Sequence, residues 1–306
     1  MKGRIKHMDI IDKQYLVEKN PWKYYSAGQS IIFNDKREIR ALLKLNGSKS
    51  NKSILSILYE TYFGNVLTDS SIDQMLKNGA VIDCPINGNP FFAKIILLYN
   101  NPALPNLRNE KFDTSISMQE YYEEKDQLEI IANNLTLNEK AKLLFTDEKS
   151  KDFNGGKAWY SKIYSNIKDA IKSQSREDYT IVDFQKDVCT LQWFAYPSKS
   201  FQKDIIDNHL EENVRELETH KFMVNLARYA IYQGKTVIAM RSVVRWEEAL
   251  KPETIEKEGK GFINQNQYKS NYQNNFFISL NNLNPGPDAK YITKPLSEKI
   301  DLKKIL

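Results

Sequence analysis

Residues 93–99 read Ala93-Lys-Ile-Ile-Leu-Leu-Tyr99, and the next six, Asn100-Asn-Pro-Ala-Leu-Pro105, contain two prolines. The first run is apolar at nearly every position and has turn-forming residues on both sides. This pattern predicts a short strand that is buried on both faces, as in a parallel sheet. The prolines that follow cannot continue a central strand, so we expect the chain to leave the sheet directly after Tyr99.

Three later runs have the same character: Val188 to Ala195, Thr236 to Met240 and Asn275 to Leu280. Between the runs lie stretches with helical periodicity, at Lys157 to Lys172, Leu217 to Tyr232 and Arg245 to Leu250. Strands that alternate with helical connections are typical of parallel α/β folds with right-handed crossovers. We therefore predict a three-layer α/β/α sandwich with a four-stranded, mainly parallel sheet.

The rest of the chain predicts two additions to this core. Residues 1–84 have mainly helical patterns, such as Ile39, Leu42 and Leu43 near one face, and we expect a helical region that packs on the core. The core domain is predicted to span residues 85–306. Within it, residues 106–155 are charged and mixed in character, which predicts a cap or insertion.

The composition sets broad limits on function. The 306 residues are 41% hydrophobic and 27% charged, which excludes collagen-like, coiled-coil and wholly disordered proteins. The net charge of +5, from 44 basic and 39 acidic residues, permits a nucleic-acid partner without requiring one. No apolar run approaches the ~20 residues that cross a bilayer, and no signal core follows the N-terminus. We expect a cytoplasmic protein with no membrane partner, in which Cys84 and Cys189 are buried and inert.

Ligands of open α/β sheets bind beyond the carboxyl ends of the strands, so the residues that follow each predicted strand are the candidates for a site. They are mostly amides and hydroxyls: Asn100, Asn101 and Pro102; Tyr196, Pro197 and Ser198; Arg241 and Ser242; Asn281 and Asn282. There is no Gly-x-Ser-x-Gly elbow and no glycine-rich phosphate loop, which argues against a serine hydrolase and against nucleotide folds. His7, His209 and His220 lack a third metal ligand at suitable spacing, so we expect surface or capping roles and no metal. These residues predict a neutral, hydrogen-bonding ligand such as a nucleobase or a sugar.

The segment Asn87-Gly-Asn-Pro-Phe-Phe-Ala-Lys-Ile-Ile-Leu-Leu-Tyr-Asn-Asn-Pro-Ala103 resembles the first motif of the uracil-DNA glycosylase superfamily. In the mismatch-specific branch of that superfamily, a buried strand runs into a Gly-Ile-Asn-Pro-Gly loop. Asn101 and Pro102 match its Asn and Pro, whereas Tyr99 and Ala103 replace its glycines. The order and spacing of the later segments resemble little-characterised bacterial relatives, and the likeness covers roughly residues 85–285.

The resemblance implies a uracil-DNA glycosylase-like fold and cleavage of the N-glycosidic bond of a flipped, possibly modified, base. Asn101 would be the catalytic residue, because it would position the attacking water without a carboxylate base. The implied base-binding residues are Tyr99, Asn100, Gln192 and Tyr196, and the implied phosphate-binding residues are Ser198, Lys199, Arg241, Ser279, Asn281 and Asn282. The expected partner is single- or double-stranded DNA, with a monomeric enzyme that needs no cofactor and no metal.

The last motif departs from the family, since Ser279-Leu-Asn-Asn-Leu-Asn284 lacks its histidine. This departure, with the lack of a catalytic carboxylate, supports an alternative: a catalytically inactive glycosylase-fold protein that binds nucleic acid or a nucleotide. A third hypothesis is a structural or interaction protein on the same scaffold. DNA repair and defence against phage with modified DNA both remain open as biological contexts.

Overall fold

The computed structural model describes residues 8–21, 54, 56–57, 86–100, 180–196 and 200–278. The strands in these ranges are β1 (Asp9–Ile10), β2 (Ile86–Asn87), β3 (Ile95–Tyr99), β4 (Val188–Gln192), β5 (Thr236–Ala239), β6 (Lys260–Gly261) and β7 (Phe276–Ile278). The α-helices are α1 (Lys13–Lys19), α2 (Ile181–Asp187), α3 (Glu211–Glu216), α4 (Glu218–Tyr232), α5 (Val243–Leu250), α6 (Pro252–Lys257) and α7 (Gln265–Asn275), with a π-helical turn at Gln202–Ile206.

The four predicted strands are confirmed as neighbours in one sheet, whose order is β2-β4-β3-β5-β7. Strands β4, β3, β5 and β7 pair in parallel with one another, as the buried apolar runs predict. The prediction of four strands is wrong by one, because β2 pairs antiparallel with β4 at the edge of the sheet. The sequence around β2 was interpreted only as turn residues, since a two-residue strand carries no periodic signal.

A glycine lets β2 lie close to β4. Gly88 has a φ of +91°, and a Cβ atom built on it would lie 2.6 Å from the carbonyl oxygen of Val188. The turn that follows is closed by the Asn89 side chain, which accepts a hydrogen bond of 3.0 Å from the Phe91 amide. Lys235 donates to the carbonyl oxygens of Phe91 and Ala93, at 2.7 and 2.5 Å, and so fixes the start of β3.

The two faces of the sheet are both buried but differ in their contacts. Ile96 and Leu98 of β3 belong to the main hydrophobic core, together with the apolar residues of α4, α5, α6 and α7. Because side chains alternate along a strand, Ile95, Leu97 and Tyr99 point to the opposite face, where they are also buried. The prediction of a strand buried on both faces is therefore confirmed.

Helices α4, α5 and α7 contact one another and cover one face of the sheet. The predicted helix from Leu217 to Tyr232 is confirmed as α4, and the one from Arg245 to Leu250 begins two residues earlier, as α5. The predicted helix at Lys157 to Lys172 and the insertion at 106–155 lie outside the described residues. The three-layer arrangement therefore stays a prediction, while the α/β class with a mainly parallel sheet is established.

Little of the N-terminal region lies within the described ranges. Helix α1 packs on α4, and Leu16, Ile54 and Ile57 belong to the main core. The helical N-terminal region of residues 1–84 stays a prediction. Strand β1 pairs in parallel with β6, a contact that sequence periodicity did not predict. No helix in the described part of the chain is both long and apolar enough to cross a membrane.

Candidate functional site

The carboxyl ends of β4, β3 and β5 lie side by side, as the parallel register requires. Tyr99 is the register partner of Gln192, and Leu98 is the partner of Ala239. Backbone bonds extend this pairing past the strands: the amide of Trp193 donates to the carbonyl of Tyr99 at 2.9 Å, and the amide of Phe194 to that of Asn100 at 2.7 Å. We refer to this region, the last residue of each strand and the residues directly after it, as the carboxyl edge.

Four of the predicted site residues meet at the carboxyl edge: Tyr99, Asn100, Gln192 and Arg241. The amide of Arg241 lies 3.3 Å from the carbonyl oxygen of Leu98, which places Arg241 beside the end of β3. The other predicted site residues, apart from Tyr196, lie outside the described residues: Asn101, Ser198, Lys199, Ser279, Asn281 and Asn282. The structure therefore leaves the proposed catalytic Asn101 as a prediction, although its chain neighbour Asn100 is in place.

Two polar atoms are buried on the second face of the sheet. Thr190 and Gln192 of β4 share the face that carries Tyr99, because they lie opposite Leu97 and Tyr99 in the register. The Oγ1 atom of Thr190 and the Oε1 atom of Gln192 are buried, and neither has a hydrogen-bond partner among the residues that the structure describes. A buried polar atom without a partner costs about 1–3 kcal/mol, which makes both atoms candidates to bind a polar ligand.

The aromatic residues at the ends of β3 and β4 are closely packed. Tyr99 is only 7% exposed, and Tyr196 and Phe194 are completely buried. The rings of Phe194 and Tyr196 lie 5.3 Å apart between centroids, and Phe201 packs against Phe194 at 6.4 Å. In this conformation the rings contribute to the core, so stacking of Tyr196 on a base would require its packing to open.

Ser242 belongs to the site but was considered in the sequence only as a residue that follows a strand. It lies between β5 and α5 with φ 50° and ψ 37°, a left-handed conformation that is uncommon for residues other than glycine. Its hydroxyl forms a short hydrogen bond with Oδ1 of Asn100. A strand, a left-handed serine and a helix also form the nucleophile elbow of α/β-hydrolases. Within the described residues, the Ser242 hydroxyl contacts Asn100 and Arg245, and neither side chain could act as the base of a serine triad.

Next to Ser242 lies an ion-pair cluster of Arg245, Glu211 and Arg215. Arg245 donates from Nε and Nη2 to the two carboxylate oxygens of Glu211, at 2.5 and 2.9 Å, and Arg215 donates to Glu211 at 3.2 Å. Partial burial acts to raise the pKa of Glu211, but the two arginines outweigh it and lower this pKa below its ordinary value. Glu211 is therefore a poor general base.

Arg241 adds further positive charge at the carboxyl edge. Its partial burial lowers its pKa, while nearby Tyr99 acts to raise it, and the group remains charged at neutral pH. Together with the cluster beside Ser242, the charged side chains named at or next to the carboxyl edge are three arginines and one glutamate. This balance favours an anionic ligand.

Behind the carboxyl edge, two tryptophans and a histidine pack closely. The ring of Trp193 lies edge-on to those of His220 and Trp246, at 4.4 and 4.9 Å between centroids. Trp246 donates from Nε1 to the carbonyl oxygen of Tyr99 at 3.0 Å, which ties α5 to the end of β3. Both tryptophans are thus core residues.

His220 was expected at the surface or at a helix cap, and this expectation is wrong. Its side chain is buried, and Nδ1 lies 2.8 Å from the carbonyl oxygen of Trp193, to which it donates. Burial lowers the pKa of His220 to about 4, against a smaller opposite effect of this hydrogen bond. The sequence could not reveal this role, because it depends on the packing of α4 against the end of β4.

Among the described residues, no group of three or more His, Cys, Asp or Glu side chains could hold a metal ion. Comparison with known proteins adds no assignment: no family model, no curated protein and no solved structure matches the chain significantly. The geometry of the carboxyl edge and the sequence motifs therefore carry the functional argument.

Proposed function

We propose that the carboxyl edge binds a DNA strand and takes up one extruded base, whose N-glycosidic bond is then hydrolysed. The observation that carries this proposal is the meeting of Asn100, Gln192 and Arg241, from three different parts of the chain, at one end of a parallel sheet. Amide groups suit the edges of a base, and arginine suits the phosphate backbone.

The proposed reaction needs little acid–base chemistry from the protein. As the base departs, positive charge develops on the sugar and negative charge on the base. Asn101 would hold a water near the sugar carbon, a contribution of position rather than of proton abstraction. Backbone amides near Asn100 and Ala103 would stabilise the charge on the departing base. Gln192 would hydrogen-bond to an edge of the base.

The test is an assay for abasic sites on DNA with uracil, mismatched or hypermodified bases, in single- and double-stranded form. We expect the wild-type protein to release at least one of these bases, and Asn101→Ala to reduce the rate by about a hundredfold or more. Asn274→Ala is the matched control, because Asn274 is exposed and lies just before β7, at the amino ends of the parallel strands and away from the carboxyl edge. Full activity of Asn101→Ala would refute its role, and the absence of abasic product on every substrate would refute the enzymatic proposal.

The second candidate function is the binding of nucleic acid or a nucleotide at the same site without catalysis. The ion-paired state of Glu211 and the burial of Tyr196 favour it, since neither a general base nor an open stacking ring is present in the described part of the carboxyl edge. DNA binding without abasic product would select this candidate. A protein with only structural or interaction roles would show no DNA affinity at moderate salt.

Measurements of DNA affinity at several salt concentrations would locate the interface. We expect Arg241→Ala to weaken binding and to reduce the slope of log K against log salt by about 0.7–0.9. Lys269→Ala is the control, because Lys269 lies on α7 and pairs at the surface with Glu256 of α6. An unchanged slope for Arg241→Ala would remove Arg241 from the interface. Light scattering would test the expected monomer.

A further inference from the structure

A chain of polar contacts runs from α3 to the end of β3. Glu211 holds the guanidinium of Arg245 at two points, and Nη1 of Arg245 lies 3.5 Å from Oγ of Ser242, at the long limit of a hydrogen bond. Ser242 in turn donates its hydroxyl proton to Oδ1 of Asn100. Arg245 donates to Glu211 and to Ser242, and Ser242 donates to Asn100, so these contacts fix which end of the Asn100 carboxamide faces Ser242.

The main chain at the same place is held as firmly. The carbonyl oxygen of Asn100 accepts from the Phe194 amide at 2.7 Å, and that of Tyr99 accepts from both the Trp193 amide and the Trp246 indole. The contacts come from the residues after β4 and from α5. Residues 99 and 100 therefore have a fixed backbone at the point where the predicted Asn-Pro loop begins.

The conformation of Ser242 indicates that its hydroxyl matters. Glycine would adopt the left-handed conformation without a steric cost, whereas serine is held there by its surroundings. The hydroxyl that serine adds is the group that contacts Asn100.

We infer that Ser242 is a positioning residue: it orients the Asn100 carboxamide so that the Nδ2 amide hydrogens face a ligand and not the protein. This inference rests on the proposed function and adds the chemistry of the contact. The ligand atom that pairs with Asn100 is a hydrogen-bond acceptor, either a carbonyl oxygen of a base or a phosphate oxygen.

The first experiment tests the contact without any ligand. Ser242→Ala, Asn100→Ala and the double variant are compared by urea unfolding. All three variants remove the same interaction between Ser242 and Asn100. We therefore expect the unfolding midpoint of the double variant to fall no further than that of the less stable single variant. Additive losses would overturn the inference. Ser270→Ala, which removes an exposed serine contact on α7, is the control and should leave the midpoint nearly unchanged.

The second experiment measures binding of a labelled oligodeoxythymidylate and of a matched oligonucleotide with abasic positions. Ser242→Gly removes the hydroxyl and relieves the left-handed backbone, so any loss of binding is not a folding defect. Asn100→Asp keeps an acceptor for Ser242 but replaces the amide donor. We expect each variant to weaken binding about fivefold to tenfold, as the loss of one oriented hydrogen bond implies.

The pattern of losses identifies the acceptor. If Ser242→Gly, which adds no charge, weakens only the thymine-containing strand, the acceptor is a base carbonyl; equal losses of Ser242→Gly on both strands indicate a phosphate. Wild-type affinity of Ser242→Gly for both strands would overturn the inference. If the wild-type protein binds neither strand, the proposed function fails, and the unfolding comparison alone decides whether Ser242 positions Asn100.

Discussion

Arg228 and Glu258 form a two-point ion pair that joins α4 to the end of α6. Nη1 and Nη2 of Arg228 lie 2.7 and 2.8 Å from the two carboxylate oxygens. The guanidinium is only 1% exposed, and it also donates to the carbonyl oxygen of Ala249 and to the side chain of Asn225. Glu258 thus compensates the buried positive charge of Arg228 within the helices that pack on the sheet.

Replacement of Glu258 by glutamine should destabilise the protein by about 3 kcal/mol, because it leaves the buried guanidinium of Arg228 without a counter-charge. Glu256→Gln is the control, since Glu256 pairs with Lys269 where both side chains are about half exposed. We expect the control to change the free energy of unfolding by less than about 0.5 kcal/mol. Equal effects in urea unfolding would show that Arg228 does not depend on Glu258.

The same pair predicts a pH dependence of stability. Partial burial acts to raise the pKa of Glu258, but Arg228 and Lys260 outweigh it and hold the pKa at about 2. A carboxyl group whose pKa is lowered by folding stabilises the protein above its unfolded value of 4.5, and this contribution is lost as the pH falls towards 2. The stability difference between the wild type and Glu258→Gln should therefore shrink below pH 4.5. A difference that is constant with pH would contradict this assignment.

His220 predicts a second, separate loss of stability in acid. Its folded pKa of about 4 lies below the ordinary value of 6.5, so the unfolded chain binds more protons and stability falls as the pH drops from 6.5 to 4. His220→Gln should be less stable at neutral pH but should lack this part of the pH dependence. His209→Gln, at an exposed position, should retain it. Urea midpoints between pH 7 and 4 would decide, and an unchanged profile for His220→Gln would exclude His220 as the cause.

Gly88→Ala should prevent the close approach of β2 to β4. An alanine Cβ would lie 2.6 Å from the carbonyl oxygen of Val188 and 3.0 Å from Cα of Cys189, both backbone atoms. Gly259→Ala is the matched control, because Gly259 also has a positive φ but no neighbouring atom within 4 Å of the added carbon. We expect the control to lose about 1 kcal/mol and Gly88→Ala to lose clearly more. Equal losses would show that backbone conformation alone, and not the contact, requires glycine at position 88.

Cys189 should be unreactive towards thiol reagents in the native protein. Its side chain is completely buried in the main core, and burial raises the pKa of the thiol, against a smaller opposite effect of Lys235. In a Cys84→Ser variant, labelling of Cys189 should begin only at the urea concentration that unfolds the protein. Rapid labelling in buffer would contradict the burial of this thiol.

The strands could be predicted because their signal is local. A strand buried on both faces needs apolar side chains at successive positions, and β3 has them from Ile95 to Tyr99. Strands β1, β2 and β6 have two residues each and no such pattern, so only pairing with distant strands defines them. The start of α6 at Pro252 was also not predicted. Proline ends the helix that precedes it, but it also suits the first turn of the next helix.

Part of the candidate site could also be predicted from local sequence. Asn100 and Arg241 could be predicted because the residues after parallel strands meet at one edge, whatever the side chains are, whereas Gln192 was implied only by the family resemblance. Ser242 was a candidate by its position only, and Glu211 and Arg245 were not candidates, because nothing in their local sequence indicates a left-handed serine or a two-point ion pair.

The amino-acid sequence alone established an α/β protein with consecutive buried parallel strands, since runs of apolar residues dictate burial wherever they occur. Only the tertiary structure decided that Ser242 contacts Asn100, 142 positions away, and that Glu258 compensates Arg228. Such contacts depend on strand register and on the orientation of side chains from distant segments. The local pattern of residues predicts neither of these.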